Sequence, residues 1–86
     1  MSWAQIKRGM WRLRGRHAWV TVTAHSDHPP QWLWVLELTG ARITERARGL
    51  AYSLREAKTL GVALLRLYDE IETDRHVRKD ASEEAR

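Results

Sequence analysis

His25, Asp27 and His28, with His17 upstream, are the side chains whose types and spacing come nearest to a metal site. A closed site usually takes four ligands. Two histidines three apart and one carboxylate on a proline-containing stretch fall short of that, so a solvated loop is expected and no metal is assigned. Ser26 beside His28 has no third group to complete a nucleophile–base relay. Asp69, Glu70 and Glu72 fall on what reads as a helical face, where solvation accounts for them. The five glycines are scattered, so no phosphate-cradling loop is present, and with no cysteine there is neither a thiolate site nor a disulfide. The expectation is a binding protein with no cofactor rather than an enzyme.

The binding candidates are cationic. The net charge is +4, and it is unevenly placed. Lys7, Arg8, Arg12, Arg14 and Arg16 meet no acid in residues 1–24, whereas from Glu56 onward eight acids face six bases. This asymmetry points to an anionic partner, with nucleic acid ahead of an acidic protein or a membrane surface. Arg42, Arg46 and Arg48 are expected on one side of a hairpin together with Leu33 and Val35, where a row of guanidinium groups can grip phosphates bidentately. A solvated strand face is the ordinary alternative. Apolar Leu33 and Val35, with Trp19 turned outward, also suit a protein partner, either a host protein or a second copy in a homodimer. Trp3 and Trp11, lying among the N-terminal bases, are further candidates for anchoring to nucleic acid or a membrane surface.

These residues need elements to position them. Ser53 followed by Glu56 reads as a capping box, so a helix starts near Leu54. Ala57, Leu60, Leu64, Leu67 and Ile71 recur at spacings of three and four and are expected to form its buried stripe, flanked by Gly61 and Tyr68. Gly61 costs about 1 kcal/mol relative to Ala in a helix, which implies a close approach to a neighbour. Past Ile71 the pattern fails, and residues 81–86 are expected to fray.

Upstream the period becomes two. Trp32, Trp34, Leu36 and Leu38 are expected to face the helix, and a two-residue turn at Thr39-Gly40 would set Glu37 opposite Arg42 and Leu36 opposite Ile43. That register leaves Glu45 on the apolar side. Ala18–Ala24 reads as a strand, with its outward Trp19 following from inward Val20 and Val22, and His25–Pro30 reads as its exit loop. Residues 1–16 stay open between a helix, from the spacing of Trp3, Ile6, Met10 and Leu13, and a short strand at Met10–Arg14 turning at Gly15.

The expected fold is therefore α+β: a three-stranded antiparallel sheet, four-stranded if Met10–Arg14 joins, followed by one long C-terminal helix on one face. Its single β-β-β-α domain spans 17–80. Eighty-six residues suit one domain, and 43% hydrophobic with 30% charged residues is the balance of a folded chain. No apolar run approaches the roughly 18 residues of a membrane span, and the lack of cysteine suits a reducing cytoplasm.

The run Trp32-Leu33-Trp34-Val35, a glycine turn, and then Gly49-Leu50-Ala51-Tyr52-Ser53-Leu54-Arg55-Glu56-Ala57-Lys58 resembles many short, mostly uncharacterised proteins of actinobacteria and their phages, over about residues 17–72. It is also similar to the three-strand-plus-helix arm-binding domain of tyrosine-family integrases, whose sheet is presented to the DNA major groove. The resemblance implies a phage or mobile-element accessory role. The longer acidic helix end departs from the integrase pattern, so no residue role is carried over.

Overall fold

Alternation of apolar and polar side chains runs through most of the first fifty residues, and the chain uses it to build one antiparallel sheet. The structure, a computed structural model, describes residues 2–40 and 42–84, with side chains as far as Asp74. The strands are β1 (Ala4–Lys7), β2 (Met10–Arg14), β3 (Ala18–Asp27), β4 (Pro30–Leu38) and β5 (Thr44–Ala51), followed by α1 (Leu54–Glu84). Each strand pairs with its sequence neighbour, in the order β1-β2-β3-β4-β5. The α+β class is as expected, but the sheet has five strands instead of three or four. The two additional strands lie in residues 1–16. Gly9, at a φ of 76°, turns β1 into β2, and its carbonyl accepts the Ala24 amide at 2.8 Å. The helical spacing of Trp3, Ile6, Met10 and Leu13 is thus overridden by tertiary pairing.

Register explains the core. Leu13 pairs with Val20, Val20 with Leu36, Val22 with Trp34, and Trp32 with Ala51. In an antiparallel ladder, paired residues share a face. Leu13, Val20, Val22, Leu36 and Ala51 are accordingly buried against Ala57 and Leu65 of α1, with Trp3, Trp32, Trp34, Leu38, Val62 and Tyr68 packed around them. Trp32 and Trp34 lie on the helix-covered face, as expected.

The Ser53 cap forms, and Glu56 reaches back one residue beyond it. The Glu56 amide donates to Ser53 Oγ at 3.0 Å, and the Glu56 carboxylate accepts from the amide of Tyr52, one residue before the cap, at 3.2 Å. The helix phase differs from expectation. Leu60, Leu67 and Ile71 are 39%, 50% and 43% exposed, whereas Leu65 is buried. The helix turns Ala57, Gly61 and Leu65 to the sheet. A Cβ at Gly61 would lie 2.9 Å from Val20 Cγ1 and 3.1 Å from Trp3 Cη2, so that glycine does mark a close approach.

The β4–β5 register also differs. Leu36 pairs with Ala47, Glu37 with Glu45 and Leu38 with Thr44, and a bulge leaves Arg46 as the extra residue. The two-residue turn at Thr39-Gly40 does not form, because the Thr39 amide donates to the His17 carbonyl at 2.8 Å and keeps the chain running beside β3. Gly49 fixes the remainder: it lies opposite Trp34, where a Cβ would come within 2.6 Å of the indole. Nor does the expected exit loop span His25–Pro30. β3 continues to Asp27 through an irregularity between Ala24 and Ser26, and Pro30 opens β4, a position where a missing amide is tolerated. Of the segment expected to fray, residues 85–86 lie outside the described residues.

Candidate nucleic-acid interface

The face of the sheet opposite α1 is built from three cross-strand rows. Arg14, Trp19, Glu37 and Glu45 form the first, Arg12, Thr21, Val35 and Arg48 the second, and Met10, Thr23, Leu33 and Leu50 the third. The strand alternation that sends Leu13, Val20 and Leu36 into the core sends these side chains the other way. Trp19 is therefore outward, as expected from inward Val20 and Val22.

Trp19 organises this face. Its indole Nε1–H donates to Glu37 Oε1 at 3.1 Å, which fixes the ring. The Arg12 guanidinium carbon lies 4.3 Å from the ring centroid and that of Arg14 5.5 Å, both within cation–π range. Arg12 is further aligned by donating from Nε to Thr21 Oγ1 at 3.2 Å. Neither Arg12 nor Arg14 is ion-paired among the described residues. Beside them opens a cavity of about 270 Å³, lined by Ser2, Ala4, Ile6, Arg12, Arg14 and Trp19.

At the β5 end the charge is compensated. Arg48 donates through Nε and Nη2 to the two carboxylate oxygens of Glu45. The hydrogen bond from Arg48 holds the Glu45 carboxyl below its usual range, and charge attraction adds to it. The same hydrogen bond pushes the Arg48 guanidinium up. Glu45 thus lies on the open face rather than on the apolar side, because the bulge at Arg46 reverses the alternation.

Of the expected row of Arg42, Arg46 and Arg48, the register places Arg48 on the open face. Arg48 stands opposite Val35, Arg46 is the bulge residue, and Arg42 precedes β5 in the connection. Leu33 and Val35 do share the open face with Arg48. Lys7 ends β1 and Arg8 lies in the turn after it, both exposed. Arg16 sits elsewhere, lining an acidic hollow with Asp69, Glu70, Thr73 and Asp74. Trp3 and Trp11 face α1, where the Lys58 ammonium lies 5.7 Å and 3.7 Å from their ring centroids.

The pairing of Arg12 and Arg14 over Trp19 was legible only in the alternation of Met10–Arg14, read as a strand. Thr21 and Glu37, which orient the cluster, carried no signal in the sequence. His25 and His28 are exposed, and no group of three or more His, Asp or Glu among the described residues is placed to hold a metal ion. No helix among the described residues is long and apolar enough to cross a membrane. No family model matches the chain, and no curated protein or solved structure matches it.

Proposed function

We propose that this chain is a small cytoplasmic nucleic-acid-binding protein of the phage or mobile-element kind, which holds its ligand on the open sheet face and catalyses no reaction. One observation carries this reading: Arg12 and Arg14, whose guanidinium groups form no ion pair among the described residues, lie over one fixed indole on a sheet face opposite the helix. Stacking orders the arginine forks before a ligand arrives, so less side-chain entropy is lost when phosphate oxygens are bound. Lys7 and Arg8 extend the positive rim. Arg42 and Arg46 add long-range attraction rather than the central grip, whereas Arg48 is offset by Glu45 and Arg16 sits among Asp69, Glu70 and Asp74.

The test is fluorescence anisotropy of labelled oligonucleotides at low salt. Affinity should fall log-linearly with salt, and Arg12→Ala and Arg14→Ala should each weaken binding and flatten that slope. Absence of binding at low salt, or indifference to both substitutions, overturns the proposal.

A second reading, a protein–protein adaptor or self-associating protein, is favoured by the third row, where Leu33 lies opposite Leu50, itself 46% exposed. Light scattering that gives a dimer abolished by Leu50→Lys would support it. A monomer with no nuclease-resistant partner would count against it.

A further inference from the structure

The geometry points to a single-stranded ligand for this face, an inference that rests on the nucleic-acid reading above. Five antiparallel strands about 4.8 Å apart set β1 and β5 about 19 Å from each other. The major groove of B-DNA is about 12 Å wide and admits a helix or a two-stranded ribbon. Arg12, Arg14 and Trp19 sit on the second and third strands of five, with β1 beside Arg12 on one side and β4 and β5 on the other. A duplex cannot bring its base edges to them, because the neighbouring strands meet its backbone first.

An unpaired strand meets no such obstacle. Its bases can splay onto the sheet and stack on flat side-chain surfaces, and an arginine plane serves as well as an aromatic ring. Arg12 over Trp19 is a two-layer platform of that kind, with the cavity lined by Ser2, Ala4 and Ile6 beside it. Arg14, exposed at the end of β2, is placed to take a neighbouring phosphate. Charge complementarity agrees, since two cations, Arg12 and Arg14, stand over Trp19 at the β2 end with the single carboxylate of Glu37 beside the ring, while Glu45 offsets Arg48 at the other end.

The experiment titrates the full chain against labelled dT and rU oligomers and against a DNA duplex of equal length at low salt. The single strands should bind at least about tenfold more tightly than the duplex, with a salt slope near 0.7 per phosphate neutralised. Trp19→Leu should cost about five- to a hundredfold for the single strands and less for the duplex, while Trp19→Phe should recover part of the loss. Circular dichroism of each variant separates loss of stacking from loss of fold. Equal or tighter duplex binding overturns the single-strand inference and leaves the nucleic-acid reading standing. No binding to any of the three overturns both.

Discussion

The Asp69 carboxylate of α1 lies directly against the α-carbon of Gly15 in the β2–β3 turn. It accepts the amide hydrogens of Arg16 and His17 at 2.9 Å each, and a Cβ on Gly15 would fall 2.3 Å from Oδ2. This contact pins the helix to the turn that separates the two site-bearing strands. Asp69→Ala should lower stability by about 1–3 kcal/mol, because two amides lose a charged acceptor. Asp69→Asn should cost less, since its one carbonyl oxygen still accepts. Urea denaturation checks both.

Gly49→Ala should destabilise by about 1–3 kcal/mol through overpacking, because its Cβ would meet three indole atoms of Trp34 within 3.0 Å. An altered tryptophan emission spectrum should accompany the loss. A neutral substitution would mean that Gly49 does not set the β5 register.

The helix phase makes opposite forecasts for neighbouring leucines. Leu65→Ala should cost about 2–5 kcal/mol, whereas Leu67→Gln and Ile71→Gln should each stay within about 0.5 kcal/mol. Equal costs at Leu65 and Leu67 would restore the stripe that the spacing alone suggests.

Glu45 supplies a pH prediction. Its folded-state pKa is depressed, first by the hydrogen bond from Arg48, so the pair contributes above the unfolded pKa and is lost as pH falls through the lower folded value. An NMR titration of the Glu45 side chain should show a midpoint below the ordinary carboxylate range that rises in Arg48→Ala. An unmoved midpoint would remove Arg48 as the cause. Glu45→Gln should also free Arg48 and tighten oligonucleotide binding severalfold at low salt.

What could be read from the residues was local. Ser53 and Glu56 mark the helix start within one turn, and the inward valines of β3 dictate an outward Trp19. What escaped was decided by contacts distant in sequence. β1 is four residues long and carries no strand signature of its own until Gly9 folds it onto β2. The apolar arc of α1 is wide enough to offer two stripes, and the sheet selects the one in which Ala57 and Gly61 allow a close approach and Leu65 fills the core. The β5 register depends on Gly49 beneath Trp34 and on a bulge at Arg46, and neither follows from alternation.

A meander in which each strand pairs only with its sequence neighbours leaves two open rims, and an open rim is a template for unwanted strand addition. β1 limits that hazard by being short and by ending on Lys7. β5 is twice as long, and there the unpaired Arg46 breaks the ladder while the charged Glu45–Arg48 clasp spans the break. A bulge and a charged clasp on an edge strand are features of the kind that disfavour intermolecular β-sheet growth, so the same irregularity that sets the β5 register also makes this rim a poorer template for another chain.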